Sequence, residues 1–528
     1  MQSDKHSVAS GQEIETTREA EFAEQVQSED LEKQPTRKNR HGIALVPQPT
    51  DDPEDPLNWS TARKSTTLAI LCLASFAGIV QALANSAGFF VQAELYHKSP
   101  VDVSYSLSAA IAGLAVGPLL WTPVARQLGK CAVIFWSLIL TLCMNIWSAR
   151  MTSGDDYIPF VVSRLFAALF GSAASVVGSK FIIEVFFLHD RGKCIAIYTC
   201  CVLLGTVASA TFSGFIVQDA SWTVQFWYNV GVEGVVAVLC LIFLRETGWT
   251  RPGGPEFPPR PKTRFQEFTA TYFFTRRTTP PETIAQTFRA ALLPLAIGVS
   301  PVTMLVGFPL MLYFSWSVAV TTLLSVFLQE PVEAGGYAFS PRRNAAFTFT
   351  QWVGVFVAQA YGHFVNDRLP LAICARRGGK WQAEYRLHSL WVPILIVYPL
   401  GLGIFGASLL YHWHYMVLAF AVFLITFSGV AGVPAVVNYV IEAFTPAYAN
   451  EATGIMNFYR LVFGIALNFF LFPWAAKVGI NWCFGMMAFF TIFAFLLIMI
   501  PMRYGETLRR YNLVKAKSEE GMMIIRGH

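Results

Sequence analysis

Long apolar runs, each close to the length that crosses a bilayer, constrain the fold of this chain more than any other feature. A bilayer core of about 30 Å needs roughly 20 apolar residues in a helix. Inside a membrane, only helices and closed barrels satisfy their own backbone groups. The runs therefore predict an all-α membrane protein with twelve transmembrane helices near residues 66–92, 103–124, 131–149, 158–186, 194–217, 224–244, 291–328, 345–365, 389–410, 415–441, 453–476 and 482–502.

The distribution of charge supports this prediction. Asp, Glu, Lys and Arg make up 14% of the 528 residues, against roughly a quarter in ordinary soluble domains. They gather at the two ends of the chain and in short gaps between the runs. The net charge of +5 forms no basic patch of the kind that binds DNA or RNA, so we expect no nucleic-acid partner.

A proline-rich, basic stretch divides the runs into two groups of six, and this composition is typical of a linker. The run after it, at 291–328, is too long for one straight span, and we expect one long bent helix rather than two short ones. The predicted units are a disordered cytoplasmic tail at 1–65, a six-helix bundle at 66–247, a cytoplasmic linker at 248–288, a second six-helix bundle at 289–505 and a cytoplasmic tail at 506–528.

Lys and Arg are concentrated in alternate loops. One set of loops holds Arg126, Lys130 and Arg191, whereas the other set holds acids such as Asp102 and Asp155. Basic loops of membrane proteins stay in the cytoplasm. We therefore expect a multi-pass membrane protein with both termini in the cytoplasm, in the plasma membrane rather than the vacuolar membrane.

A short internal repeat links the two groups of runs. The fourth run ends with Phe181-Ile182-Ile183-Glu184-Val185-Phe186, and the tenth ends with Tyr439-Val440-Ile441-Glu442-Ala443-Phe444. The offset is 258 residues (442 − 184). Repeated halves with the substrate site at their interface are the architecture of many secondary transporters.

Four stretches point to a known family. They are Asp52 to Ser60 before the first run, Arg164 to Ser172 in the fourth, His189 to Lys193 after it, and Glu384 to Leu387 together with Tyr439 to Glu442. From residue 51 to about 510 the chain resembles the major facilitator superfamily. Within it, the chain is similar to the fungal twelve-span drug:proton antiporters and polyamine/cation permeases. The resemblance implies two six-helix bundles around a central cavity, with alternating access coupled to protons.

The chain departs from the family pattern in two places, and the second departure weakens the case for export. The loop that ends at Lys130 lacks the usual acidic residue, and no Gly-Pro pair lies between Gly205 and Gly214. Export of an amphipathic drug, toxin or secondary metabolite is our first hypothesis. Proton-driven uptake of a polyamine or organic cation, which the stretch at Glu384 to Leu387 favours, is the second. A transporter-like nutrient sensor is the third.

Arg164 is the charged residue inside a run that most needs an explanation. A charge within a span is costly unless it faces a cavity or a partner. In the family that the chain resembles, the matching arginine is tied to proton coupling, so we predict that role for Arg164. The alternative is an anchor whose side chain reaches the interface. Glu233, inside the sixth run, is an alternative proton carrier.

The acids of the repeat suggest a gate. Glu184 and Glu442 lie at the cytoplasmic ends of their runs, where pairing with basic residues of the loops would close the inner side. The alternative is a pair of solvated acids at helix ends, where an ion pair contributes roughly 0–1 kcal/mol. The residues predicted for the cytoplasmic gate are Glu184, Glu442, Arg126, Asp367, Arg368 and Arg460.

Amide side chains inside the runs are candidates for the wall of a substrate cavity. Gln81 and Asn85 are one helical turn apart in the first run, and Gln351 lies in the eighth. The alternative is a hydrogen bond between helices, which contributes about 0.6 kcal/mol on average. We predict Gln81, Asn85 and Gln351 as cavity residues.

No nucleophile elbow, phosphate-binding loop or zinc-protease motif occurs, so the sequence predicts neither an enzyme nor an ATP-driven pump. The nine cysteines form no CxxC pair and have no zinc-ligand spacing. We therefore expect no metal and no cofactor. The expected partners are a small-molecule substrate, protons and the lipid bilayer, and we expect a monomer.

Overall fold

The structure is a computed structural model that describes residues 47–250, 256–259, 263–275, 278–280, 283–377, 379, 381–444 and 448–512. Within these residues, every regular element is helical. The rest of the predicted tails, at 1–46 and 513–528, and parts of the predicted linker lie outside the described residues.

Seven helices form the N-terminal half. They are α1 (Thr61–Val80), α2 (Phe89–Tyr96), α3 (Pro100–Leu128), α4 (Lys130–Arg150), α5 (Tyr157–Val185), α6 (Leu188–Asp219) and α7 (Val224–Phe243).

Nine helices follow. They are α8 (Arg264–Phe273), α9 (Ile284–Gly298), α10 (Pro301–Gln329), α11 (Pro341–Tyr361), α12 (Arg368–Arg376), α13 (Tyr398–Leu410), α14 (Tyr415–Phe444), α15 (Ala449–Val478) and α16 (Ile480–Arg509). A 3-10 turn at Ala383–Leu390 and a π turn at Trp391–Val397 lead into α13.

Eleven helical segments of the described residues are long and apolar enough to cross a membrane. Ten of them are α1, α3 to α7, α10 and α14 to α16, and the eleventh is Ala383–Tyr411, which includes α13. The less apolar α11 lies where we predicted the eighth span and packs against α6 and α14. With α11, the all-α fold has the predicted twelve transmembrane helices in two six-helix bundles.

The structure corrects the first predicted span. The run at 66–92 was expected to be one helix, but α1 ends at Val80 and α2 begins at Phe89. The intervening segment, Gln81 to Gly88, forms a series of turns. Three of its side chains are polar (Gln81, Asn85 and Ser86), and such side chains compete for backbone hydrogen bonds. We call this segment the α1 break.

The segment before α1 also differs from the prediction. Residues 1–65 were expected to be disordered, but Asp55 accepts hydrogen bonds from the backbone nitrogens of Leu57 and Thr50, both at 3.0 Å. Asn58 Nδ2 donates to the Thr50 carbonyl at 2.7 Å. This capped turn leads directly into α1, so residues 50–60 fasten the start of the first span.

The overlong run at 291–328 is also interrupted. Val299 and Ser300 separate α9 from α10, and only α10 is long enough to span the membrane. The preceding α8 lies against the N-terminal half, because Trp136 Nε1 donates to the Tyr272 carbonyl at 2.9 Å and the Tyr272 hydroxyl donates to the Cys240 carbonyl at 2.8 Å.

Close approach of α1 and α5 needs glycine on both helices. A Cβ atom on Gly78 would lie 2.2 Å from the Gly171 carbonyl oxygen, and a Cβ on Gly171 would lie 2.2 Å from that of Gly78. Real side chains do not reach such distances. This crossing brings the segment around Arg164 against the α1 break.

Candidate functional site

A cavity lies between the two halves, with about 1040 Å³ of empty space including the part open to solvent. We call the end of the molecule with the predicted cytoplasmic loops the inner end, and the opposite end the outer end. Residues of α1, the α1 break, α3, α5 and α6 line the cavity on one side, and residues of α10, α11, α14 and α15 line it on the other. Among the described lining residues, Arg460 is the only one with a charge. The polar lining residues are Ser172, Ser175, Thr206, Ser317, Thr321, Thr322, Gln351, Thr426, Asn457 and Arg460.

The structure separates the three amides predicted to line the cavity. Gln351 lines it. Gln81 and Asn85 are fully buried in the α1 break instead, so they do not share a helical face. Gln81 Nε2 donates to the Gly78 carbonyl at 3.2 Å, and Asn85 Nδ2 donates to Gln92 Oε1 at 2.6 Å. In this conformation both amides connect backbone and side chains within the N-terminal half.

Arg164 on α5 is fully buried, and its guanidinium is bound inside the protein. Its Nη2 donates to the carbonyl oxygens of Gln81 and, at 3.1 Å, of Ala82. Its Nη1 donates to Asn145 Oδ1 at 3.2 Å, and Asn145 Nδ2 donates to Glu233 Oε1 at 2.8 Å. We call Arg164, Asn145, Glu233 and the two carbonyls the Arg164 network. It holds carbonyls of the α1 break that no longer belong to a continuous helix.

The Arg164 network is next to the cavity wall without being part of it. Ile79 and Leu83 line the cavity, and they flank the carbonyls that Arg164 holds. Glu233 Oε2 is buried and has no hydrogen-bond partner among the described residues. Protonation of this carboxyl could therefore change the hold of Arg164 on the break. Asn145 was missed from the sequence, because an amide inside a span is a weak signal.

The two acids of the repeat form ion pairs at the inner end. Glu184 pairs with Lys130, whose Nζ also lies 3.5 Å from Glu246 Oε1. Glu442 accepts a hydrogen bond from Arg386 Nε at 2.8 Å. The two basic partners are offset by 256 residues (386 − 130), close to the 258 that separates the acids. The first pair lies within the N-terminal half and the second within the C-terminal half, so neither pair joins the two halves in this conformation.

An ion pair of Arg126 does cross between the halves. Its Nη1 on α3 lies 3.9 Å from Glu451 Oε1 at the start of α15. Glu451 was missed from the sequence, because the eleventh span was expected to begin at residue 453. Its signal was an acid at the inner end of a span, facing a basic loop.

The other predicted gate residues are dispersed. Asp367 Oδ2 lies 4.0 Å from His363 Nδ1 and is exposed, and the Arg368 guanidinium lies 5.3 Å from the centre of the Phe364 ring. Arg460 is eleven residues into α15 (460 − 449), which is about 16 Å from its inner end. It lines the cavity.

Hydrogen bonds join the two halves at the outer end. Thr211 on α6 and Thr348 on α11 are 2.7 Å apart, and Asn468 Nδ2 on α15 donates to Ser108 Oγ on α3 at 2.8 Å. The Arg342 backbone nitrogen donates to Gln218 Oε1 at 3.2 Å. These hydrogen bonds hold the two halves together at the outer end.

Two bundles that enclose a central cavity are also found in known proteins. The family model described as Major Facilitator Superfamily matches residues 65–467. The chain belongs to this superfamily. Membership makes it a membrane transporter that binds a small molecule within the membrane, and not an enzyme.

Fungal relatives in the superfamily are similar over most of the chain. The MFS transporter fsa7 of Fusarium sp. (strain FN080326) is 26% identical, over 87% of this chain and 88% of the relative. The efflux pump radE of Floropilus chiversii is 25% identical, over 88% of this chain and 85% of the relative. The solved structure of the proton:xylose symporter XylE, bound to 6-bromo-6-deoxy-D-glucose, shares the fold, with a TM-score of 0.55, 14% identity and coverage of 84% and 96%.

Proposed function

We propose that this transporter exports a small amphipathic organic compound, such as a drug, toxin or secondary metabolite, in exchange for protons. The cavity carries the proposal, because it lies between two halves that are hydrogen-bonded at the outer end. Rocking of the halves about such a site gives alternating access. An apolar wall with a few polar groups suits an amphipathic substrate. One relative is named an efflux pump, and this favours export.

The Arg164 network supplies the proposed link to protons. Arginine does not release its proton, so Glu233 is the group in this network that takes up and releases one. A neutral Glu233 no longer compensates the charge of Arg164, which changes the hold on the carbonyls of Gln81 and Ala82. The neighbouring wall residues Ile79 and Leu83 would then move with the break.

Uptake of a polyamine has less support from the geometry. In the stretch from Glu384 to Leu387, which favoured uptake, Glu384 pairs with Arg509 and Arg386 pairs with Glu442. These residues therefore stabilise the inner end and do not line the cavity. No carboxylate is among the cavity-lining residues that the structure describes. A polycation would therefore lack a counter-charge.

We further propose that the protein works as a monomer in the plasma membrane with both termini in the cytoplasm.

Transport in proteoliposomes tests exchange against protons. The purified chain would be reconstituted with an acidic or an alkaline lumen, and accumulation of a labelled polyamine, lipophilic cation, lipophilic anion and neutral amphipathic compound would be measured. An exchanger accumulates its substrate in the acidic lumen, and nigericin abolishes the accumulation. Accumulation driven by acid outside would instead identify a symporter, and accumulation that ignores the gradient would exclude coupling.

Glu233→Gln is the matched variant for that assay, because it keeps the size of the side chain and removes its charge. We expect it to bind substrate but to lose the response to the pH gradient. Glu256→Gln, at an exposed position of the linker, is the control and should respond as the wild type does. An unchanged response in Glu233→Gln would remove Glu233 from the mechanism.

A further inference from the structure

The charge of Arg460 in the cavity wall indicates which class of substrate the cavity binds. The other described lining residues are aliphatic or aromatic side chains, glycine, hydroxyls or amides. From this wall we infer that Arg460 is an anion-binding site and that the transported compound is an amphipathic organic anion, with a carboxylate or a similar acidic group. The inference rests on the proposed transport function and names its substrate class.

Arg460 has no polar partner of its own among the residues that the structure describes. Its Nε, like that of Arg164, is buried without a hydrogen bond, and no ion pair of the described residues reaches its guanidinium. The guanidinium carbon lies 5.0 Å from the centre of the Phe314 ring. The residue as a whole is partly exposed, and that exposure is toward the cavity.

Arg164 shows what a structural arginine looks like in the same molecule. Its guanidinium donates to three acceptors and is fully buried away from the cavity. An arginine inside a span needs such partners, because charge in a low-dielectric setting is costly when it is uncompensated. Arg460 lacks them, so an acidic group of a ligand is the partner that its position calls for.

The wall around Arg460 fits the rest of such a ligand. Guanidinium binds carboxylate through two parallel hydrogen bonds, which fixes orientation as well as charge. Gln351 and Thr321 offer further polar contacts, and Leu114 and Val318 form apolar surface for a hydrophobic body. A cationic substrate would meet repulsion from Arg460 with no acid in the described wall to offset it.

Three pyrene probes with one skeleton test the charge preference. Binding of 1-pyrenebutyrate, neutral 1-pyrenebutanamide and a cationic pyrenebutyl trimethylammonium would be measured on the purified full chain in detergent. We expect the wild type to bind the carboxylate about tenfold or more tightly than the amide, as charged hydrogen bonds give in proteins. The ammonium probe should bind most weakly. Equal binding of carboxylate and amide, or tighter binding of the cation, would overturn the inference.

Variants then assign the preference to Arg460. Arg460→Gln should lose the preference for carboxylate while keeping the affinity for the amide, and Arg460→Lys should keep part of it. Arg150→Gln, at an exposed position at the outer end of α4, should behave as the wild type. If Arg460→Gln does not fold, the wild-type comparison of the three probes still decides. Retained carboxylate preference in a folded Arg460→Gln would contradict the assignment.

The binding assay uses no proton gradient, so its failure is separate from failure of proton exchange. If the protein prefers the carboxylate probe but shows no gradient-driven transport, the anion site at Arg460 is supported and proton exchange is rejected. Gradient-driven transport of a neutral or cationic compound, with no carboxylate preference, would keep the coupling and remove the anion site.

Discussion

The two halves of the molecule share a short repeat at their inner ends, yet equivalent residues differ in how deeply they are buried. In the N-terminal half, Lys130 is almost fully buried between two carboxylates. In the C-terminal half, Arg386 and Glu442 keep 23% and 27% of their side-chain surfaces exposed. The basic partner is therefore buried more deeply in the N-terminal half, although its acid Glu184 keeps 36% of its side-chain surface exposed.

Arginines follow the same division. Arg164 in the N-terminal half is bound to groups of its own half, whereas Arg460 in the C-terminal half faces the cavity. A broken helix supplies the carbonyls that make Arg164 structural, and the continuous α15 supplies none to Arg460. Local backbone geometry therefore distinguishes the two arginines: one has backbone acceptors within its own half, and the other leaves its charge available to a ligand.

The largest expected difference between the halves concerns the two basic residues at the inner end. Lys130→Met should lower the free energy of unfolding by about 3–5 kcal/mol, because Glu184 and Glu246 lose the buried cation that they share. Arg386→Met should lower it by roughly 0–1 kcal/mol, because water reaches Glu442. Melting temperatures of the two variants in detergent would check this. Equal losses would show that the halves are fastened alike.

A smaller difference concerns two glycines at equivalent positions, 258 residues apart (429 − 171). In Gly171→Ala, the new Cβ meets the Gly78 backbone, so α1 and α5 must separate at a cost of about 1–3 kcal/mol. In Gly429→Ala, it meets the Ser317 hydroxyl, which can rotate away at the cost of its hydrogen bond to the Tyr398 hydroxyl. We expect Gly171→Ala to melt at the lower temperature. Gly231→Ala, which has open space around it, serves as the control.

The smallest expected effect is on the ion pair that crosses between the halves. Glu451→Gln removes a 3.9 Å contact with Arg126, whose side chain is 38% exposed. The Glu451 side chain is only 7% exposed, but the pair is long and water reaches its arginine, so we expect it to contribute roughly 0–1 kcal/mol. The equilibrium between inward-facing and outward-facing forms should therefore shift only a few-fold toward opening of the inner end. Labelling of a cysteine introduced at Ser175 in the cavity would report it. A shift of a hundredfold would make this pair the principal gate.

Sequence alone could predict the helices but not their interruptions. Apolar runs predicted twelve spans, because the bilayer fixes the length of a spanning helix. The α1 break was missed, since Ala82, Leu83 and Ala84 keep the first run apolar across it. The confirmed family membership also followed from sequence, because its motifs are local.

Predictions about the site depended on which helices are neighbours, and sequence holds little of that information. The repeat located Glu184 and Glu442, but not their pairing within each half. Arg460 was placed in the gate because the eleventh span was expected to begin four residues late. The roles of Asn145 and Glu451 depend on partners far away in the sequence, which the sequence alone does not identify.

Thermal melting with and without 1-pyrenebutyrate, compared for wild type, Arg164→Gln and Arg460→Gln, tests this division between the arginines most directly. We expect Arg164→Gln to melt well below the wild type, because each buried acceptor left unpaired costs about 1–3 kcal/mol. We expect Arg460→Gln to melt like the wild type but to gain clearly less stability from the probe than the wild type gains. A low melting temperature for Arg460→Gln together with full stabilisation by the probe would contradict this division.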